Sequence, residues 1–209
     1  MAAPQAPKSI KLNYSPRKWQ QELHTHRKRF SIVALHRQGG KTEAAVMELI
    51  DCAVQARTEL PMFAYVAPEL RQARTVMWPR LKQKLRPVID AGGAVVNESD
   101  LSIQLLSNGA TIRLFGASDP DALRGMTLDG VVIDEVAQMK TEAWEEVISP
   151  MLFVRKGWAL FIGTPKGVNL FSSLYSKAVQ NPEWYARTWT CYQTGALSEE
   201  EIASSKAQM

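Results

Sequence analysis

Short apolar runs alternate with longer stretches of helical periodicity along the chain. Seven runs have the β-branched and aromatic character of strands, at 30–36, 62–68, 101–106, 110–115, 130–135, 158–165 and 185–191. The helical stretches fall at 15–29, at 41–56, from the second run to about Pro87, at 141–152, at 168–180 and from Ser198 onward. Strands that alternate with helices predict an α/β fold with a mainly parallel sheet and helices on both faces.

Local signals refine three of these elements. The pair Asn108-Gly109 lies between two strand-like runs and indicates an antiparallel hairpin. In the first helix, Ser15 has the side chain of an N-cap and Pro16 suits the first helical position. In the last helix, Ser198 and Glu201 have the spacing of a capping box.

Composition bounds the class of protein. A chain of 209 residues without an internal repeat or a Pro/Gly/Ser-rich linker predicts one sizeable domain. No apolar run is long enough to span a membrane and the N-terminus lacks the apolar core of a signal peptide, so we expect a cytoplasmic protein. Cys52 and Cys191 form no CxxC pattern and are interpreted as buried free thiols. The net charge of +4 only mildly favours a nucleic-acid partner.

The segment ALHRQGGKT, which ends at Thr42, connects a predicted strand to a predicted helix. The phosphate-loop pattern G-x-x-x-x-G-K-[ST] would have its first glycine where Leu35 stands, so the pattern is incomplete. The rest is present: Gly39 and Gly40 let the backbone approach phosphate, Lys41 can reach the β- and γ-phosphates, and the Thr42 hydroxyl can bind Mg²⁺. The segment predicts a nucleotide site that uses ATP and Mg²⁺.

Two further motifs follow predicted strands. GVVIDEV places Asp134 and Glu135 at the end of an apolar run, where an Asp can hold Mg²⁺ and a Glu can orient or deprotonate water. FIGTPKG places the Thr164 hydroxyl after the next run, where it can sense a γ-phosphate. Because open α/β sheets bind ligands at the carboxyl ends of their strands, we expect the three motifs to converge.

In this order, with GKT followed by DE and then GTP, the chain resembles the ATPase domain of the large terminase subunit, the genome-packaging motor of tailed bacteriophages. The resemblance runs from about Tyr14 to the end of the chain. In that family the phosphate loop commonly lacks its first glycine and carries an arginine before the GK pair, as HRQGGKT does with Arg37. The resemblance implies a P-loop NTPase fold of the RecA/ASCE type.

Other segments are similar to motifs of the same family. YSPRKWQ resembles its adenine-binding segment, in which Gln20 would read the base and Tyr14 or Trp19 would stack nearby. YVAPELRQA resembles the segment after the second strand, and the Arg-Gly step at Arg124 resembles the one that precedes the DE strand. The nucleotide-binding residues that we expect are Tyr14, Trp19, Gln20, Arg37, Gln38, Gly39, Gly40, Lys41 and Thr42.

The resemblance implies Mg²⁺-dependent ATP hydrolysis that drives double-stranded DNA into a procapsid. Glu135 would activate water, and Thr164 would couple the nucleotide state to movement. Arg124 would reach the γ-phosphate of a neighbouring subunit as an arginine finger, and Arg37 is the competing candidate within its own subunit. Thr42 and Asp134 would hold the metal.

The resemblance also implies partners and a location. The implied partners are double-stranded DNA, a portal protein, a small terminase subunit and further copies of the chain in a homo-oligomeric ring on the procapsid. The implied location is the host cytoplasm, without a membrane partner. We expect the isolated domain to be monomeric.

The division of the chain that we expect is a flexible lead-in at 1–13, the ATPase domain at 14–197 and the start of a linker at 198–209. The acidic cluster of the family's nuclease domain is missing, because no aspartate follows Asp134. Two alternatives remain: a helicase-type nucleic-acid motor, which would need a second motor domain, and a non-hydrolysing nucleotide-binding scaffold, which would not need Glu135.

Overall fold

The computed structural model of the protein describes residues 12–207, and most of the predicted lead-in and the last two residues lie outside this range. The strands described are β1 Phe30–Leu35, β2 Met62–Ala67, β3 Ala94–Asn97, β4 Ser102–Leu105, β5 Thr111–Gly116, β6 Gly130–Asp134, β7 Trp158–Gly163 and β8 Trp184–Trp189. They form one sheet in the order β3-β4-β5-β2-β6-β7-β1-β8. The pairs β3–β4 and β4–β5 are antiparallel, and the other pairs are parallel. The α/β prediction is confirmed.

Helices cover both faces of the sheet. The α-helices described are α1 Lys18–His26, α2 Lys41–Gln55, α3 Leu70–Gln72, α4 Trp78–Asp90, α5 Ser149–Met151, α6 Leu170–Gln180, α7 Cys191–Thr194 and α8 Glu199–Ala207. π-Helical turns precede α4 and α5, at Ala73–Met77 and Ala143–Ile148. No helix among the described residues is long and apolar enough to cross a membrane.

Strand β1 shows why the central strands are apolar without alternation. Val33 and Leu35 face the core that packs on α1, α2 and α4, while Ile32 and Ala34 face the second core, which contains α6 and the helical turns around α5. A strand covered on both faces buries every side chain, so its sequence reads as a continuous apolar run.

The first helix departs from the prediction. It begins at Lys18 with Arg17 at the N-cap position, and the prediction of Ser15 as N-cap and Pro16 as first helical residue is wrong. The Gln20 side chain accepts a hydrogen bond from the Arg17 backbone N at 2.8 Å, which caps the helix two residues later than the Ser-Pro signal indicates.

Other boundaries differ for packing reasons. Helix α4 continues past Pro87 to Asp90, because Val88 and Ile89 pack against the core. Strand β3 was not predicted, since its four residues alternate between half-buried and exposed and form no apolar run.

The hairpin is confirmed, with Gly109 at φ +73°, and so is the capping box at Ser198. The two cysteines are free, as predicted, but they are only partly buried, so the prediction of buried thiols is wrong.

The register brings the three predicted motifs to one edge of the sheet. Strand β7 lies between β6 and β1; its Gly163 is level with Ala34 of β1, and its Ile162 is level with Asp134 of β6. The strands are parallel, so the segments that follow them leave the sheet on the same side. These segments carry Lys41, Glu135 and Thr164.

Candidate functional site

The loop after β1 is shaped by its glycines. Gly40 has φ +90° and Gln38 has φ +62°, both in the left-handed region. Leu35, at the position of the missing glycine, is buried in the core, and its Cδ2 atom is 2.7 Å from where a Cβ atom at Gly39 would stand. The leucine therefore fits only because position 39 has no side chain.

Lys41 is the first residue of α2 and is 8% exposed. Its ammonium donates to the His36 carbonyl oxygen at 3.2 Å and to Thr164 Oγ1 at 3.0 Å. Burial lowers the pKa of Lys41, and the nearby carboxylates of Glu135 and Asp134 oppose that shift. The predicted phosphate-binding lysine and the predicted sensing threonine are thus in direct contact.

Asp134 ends β6 and is also buried. Its Oδ2 atom accepts a hydrogen bond from the Tyr65 hydroxyl, and its Oδ1 atom accepts one from the Glu135 backbone N at 2.8 Å. Burial raises the pKa of Asp134, and the Tyr65 hydrogen bond lowers it in part. Tyr65 was not predicted as a site residue; the only signal was its place near the end of the neighbouring strand β2.

Glu135 has a left-handed backbone, with φ 48° and ψ 44°. This conformation costs a non-glycine residue on the order of 1 kcal/mol or more, and such strain is frequent at functional sites. The residue follows directly on buried Asp134, is itself only half-buried, and its backbone N is fixed by the Asp134 carboxylate. A carboxylate in this position is available to a bound water.

The residues at this edge fit a magnesium ion. The carboxylate of Asp134 and the hydroxyl of Thr42, second residue of α2, are hard oxygen ligands of the type that Mg²⁺ prefers. Among the described residues, no cluster of three His, Cys, Asp or Glu side chains could hold a metal. A magnesium ion here would complete its shell with water and phosphate oxygens, as Mg²⁺ does at nucleotide sites.

Gln20 connects α1 to the loop. It is 2% exposed, and its Nε2 atom donates to the Gly40 carbonyl oxygen at 3.1 Å. Arg17 lies on the same side of the loop, because its Nη1 atom is 2.6 Å from where a Cβ atom at Gly40 would stand. The sequence did not single out Arg17, since nothing in SPRKWQ indicates which of its cations faces the loop.

The two aromatic residues predicted near the base differ in their surroundings. Trp19 is 2% exposed and packs on Trp189 in the core, with ring centroids 5.3 Å apart. Its Cζ2 atom lies 3.8 Å from where a Cβ atom at Gly40 would stand, and stacking of Trp19 on a base stays a prediction. Tyr14 is half-buried; its hydroxyl bonds His24 Nε2 at 2.8 Å, and the Lys84 ammonium lies 5.6 Å from its ring centroid. Burial raises the pKa of Tyr14.

The two candidate arginines lie apart. Arg37 is exposed on the loop, next to exposed Gln38. Arg124 is exposed and lines a cavity of about 400 Å³ with Glu69, Gln138 and other residues, and neither Lys41 nor Asp134 is among the described residues that line it. The structure therefore brings together Lys41, Asp134, Glu135 and Thr164, with Arg37 on the adjoining loop, while Arg124 lies on the segment before β6 and lines the cavity that Gln138 also lines.

Comparison with known proteins identifies the family of the chain. The family model for the terminase large subunit, T4-like-virus type, N-terminal, matches residues 35–207. The terminase large subunit of Thermus virus P23-45 is 32% identical, over 78% of this chain and 36% of that protein. The chain thus spans about a third of the curated relatives that it matches.

Solved structures share the fold. The large terminase ATPase domain of Thermus phage P74-26 has a TM-score of 0.80 at 23% identity, over 95% of this chain and 90% of that one. The large terminase of another thermophilic bacteriophage, solved in complex with ADP, has a TM-score of 0.74 at 20% identity, over 92% of this chain and 50% of that one. The chain belongs to the family of terminase large subunits, T4-like-virus type, and matches its N-terminal region.

Proposed function

We propose that the chain is the Mg²⁺-dependent ATPase part of a motor that packages double-stranded DNA. The observation that carries the proposal is the contact of Lys41 with Thr164, at the sheet edge where Asp134 and Glu135 also lie. A relative with the same fold has been solved with ADP and with ATP-γ-S, which supports a nucleotide as the ligand of this edge.

In this proposal the loop binds the phosphates. The backbone N–H groups of Gly39 and Gly40 and the N-terminus of α2 face the anion, and the Lys41 ammonium exchanges its contacts with His36 and Thr164 for phosphate oxygens. The partly buried ammonium loses little hydration on binding, so its attraction to phosphate is strong. Gln20 and Tyr14 lie on the base side.

The acidic pair serves the hydrolysis step. Thr42 and Asp134 would hold Mg²⁺, which when bound neutralises charge on the phosphate oxygens. Glu135 orients the attacking water and accepts its proton. Thr164 changes hydrogen-bond partner when Lys41 turns to phosphate, and this exchange couples the nucleotide state to the segment that follows β7.

Two arginines are candidates for neutralising the transferring phosphoryl group. Arg37, on the loop itself, would act within its own subunit. Arg124, on the segment before β6, would act on the site of a neighbouring subunit in a ring, where an arginine finger is worth about 10³–10⁵ in rate. The same proposal gives the chain three partners, which are DNA, a portal protein and a small terminase subunit. The chain would bind them at the procapsid, in the host cytoplasm.

The test is steady-state phosphate release, with Mg²⁺ or with EDTA, and with or without DNA and the full-length partner proteins. Glu135→Gln, which keeps the size of the side chain, should bind ATP and lose hydrolysis by roughly 10²–10⁴-fold. Glu145→Gln, an exposed glutamate of the π-helical turn Ala143–Ile148, is the matched control and should hydrolyse ATP normally. Hydrolysis that persists in Glu135→Gln, or in EDTA, would contradict the proposal.

A further inference from the structure

Glu48 is a carboxylate buried in the apolar interior. It lies in the middle of α2, and its side chain is 3% exposed. Both carboxylate oxygens are paired: Oε1 is 2.5 Å from His24 Nδ1, and Oε2 is 2.5 Å from Arg27 Nε. A buried charge of this kind costs several kcal/mol unless it is fully paired, so its partners are held firmly.

The partners of Glu48 extend into a larger network. His24 bonds the Tyr14 hydroxyl through its other ring nitrogen, at 2.8 Å. Arg27 also donates from Nη2 to Cys52 Sγ at 2.9 Å, and burial raises the pKa of that thiol to about 12, so it stays a protonated neighbour. The network thus joins the residues around α1 to α2 through one carboxylate.

The positions of these contacts set the direction of α1. Gln20, His24 and Arg27 are four and three residues apart and lie on one side of the helix and its end. Gln20 contacts Gly40 at the start of α2, while His24 and Arg27 contact Glu48. Seven residues from Gln20 to Arg27 and eight from Gly40 to Glu48 correspond to similar lengths, about 10 Å and 12 Å. Helix α1 is therefore tied at its first turn to Gly40 and at its end to Glu48, along the first half of α2.

We infer that Glu48 is a positioning residue for the base side of the nucleotide site, an inference that rests on the proposed function. Among the described residues, its side-chain contacts are with His24, Arg27 and Cys52, none of which is predicted to bind phosphate. It fixes the far end of α1, and through His24 it fixes Tyr14, so that the Gln20 amide is held against Gly40. When glutamine replaces Glu48, the far end of α1 loses this support, and Gln20 and Tyr14 no longer keep one arrangement.

The test measures dissociation constants of ATP and of inorganic tripolyphosphate by calorimetry. Tripolyphosphate reports the phosphate loop alone, and ATP reports the loop and the base side together. Glu48→Gln should weaken ATP binding by about tenfold and tripolyphosphate binding by less than about twofold. Glu22→Gln is the matched control: this α1 glutamate pairs with Arg187 near the surface, and its replacement should leave both constants unchanged.

A double-mutant cycle separates positioning from general stability. If Glu48 acts through Gln20, Glu48→Gln added to Gln20→Ala should weaken ATP binding by no more than about twofold beyond Gln20→Ala alone. Fully additive losses overturn the inference, as do equal losses for both ligands or no loss at all. Circular dichroism at the assay temperature checks folding.

A milder variant covers the case in which Glu48→Gln does not fold. His24→Gln removes one of the two contacts and leaves the Arg27 pair, and it should weaken ATP binding by about threefold without affecting tripolyphosphate. An unchanged ATP constant in His24→Gln overturns the inference. Wild-type protein that binds neither ligand is a separate result, because it contradicts the proposed function itself.

Discussion

Replacing Lys41 by Met tests the phosphate loop most directly, because it removes the charge and keeps most of the side-chain volume. Lys41 is 8% exposed and its ammonium donates hydrogen bonds to two neutral acceptors, so in the free protein its charge is poorly compensated. Against phosphate oxygens it would make charge-assisted hydrogen bonds, each worth about 1.5–3 kcal/mol. Lys41→Met should therefore weaken ATP binding by about 10–150-fold and abolish measurable hydrolysis.

The same substitution should not destabilise the free protein. Burial lowers the pKa of Lys41 in the folded state below its unfolded value of 10.5, so folding disfavours the charged form. This cost is fully present below the folded pKa and disappears as the pH rises toward 10.5. At pH 7 the variant should unfold at an equal or higher temperature than wild type, and any gain should shrink above the folded pKa. The two acceptors that lose a donor, His36 O and Thr164 Oγ1, belong to partly exposed residues and can bond water.

Calorimetric ATP binding, phosphate release and thermal unfolding at pH 7 and pH 10 make up the assay. Lys82→Met is the matched control, since Lys82, on α4, pairs with exposed Glu98, and it should leave ATP binding unchanged. Tight ATP binding by Lys41→Met would refute the assignment of the loop. A clear loss of stability at pH 7 would refute the conclusion that burial of the charged ammonium destabilises the folded protein.

Three other predictions follow from the geometry. Gly40→Ala should destabilise the protein by about 1–3 kcal/mol in urea unfolding, because φ is +90° and the new Cβ atom would stand 2.6 Å from Arg17 Nη1; an unchanged midpoint would contradict the loop geometry. In assembled motors, Arg124→Ala subunits mixed with Lys41→Ala subunits should regain ATP hydrolysis, and full activity of Arg124→Ala alone would leave the finger role to Arg37. The isolated chain should bind DNA weakly and release it as salt rises, because one subunit offers few phosphate contacts, and tight binding that salt does not affect would argue against a ring that sums small contacts.

The sequence predicted the parts of the fold that depend on uninterrupted apolar runs. The boundary between β1 and α2 was placed within a residue or two, because a fully buried strand, two glycines and a helix follow one another directly. Strand β3 was missed, since its half-buried edge position leaves no apolar run. Pro87 misled the prediction because its neighbours are held by tertiary packing, which outweighs a local helix signal.

Within the site, the sequence motifs predicted residues that the structure brings together, but not the residues that hold them in place. Lys41, Asp134, Glu135 and Thr164 come from motifs whose residue types are fixed by phosphate and metal chemistry. Tyr65 and Glu48 bind partners 69 and 24 residues away, and spacing alone gives no sign of such pairs. For Glu48 one signal existed: an acid in the otherwise apolar run AAVMELI, at a helix position that is buried and paired with His24 and Arg27.

Leu35 and Gly39 form a coupled pair with consequences for how loops of this kind vary. In the usual pattern the glycine requirement stands at the first position, and the position before the second glycine is free. Here the Leu35 side chain occupies the space beside position 39, so glycine is required at position 39. A Cβ atom at Gly39 would also stand 3.2 Å from the His36 carbonyl oxygen. Substitutions at the two positions should therefore covary: a glycine at 35 relieves position 39, and a larger residue at 39 requires a smaller one at 35. A search that requires glycine at the first position of the phosphate-loop pattern misses this loop, because Leu35 stands there.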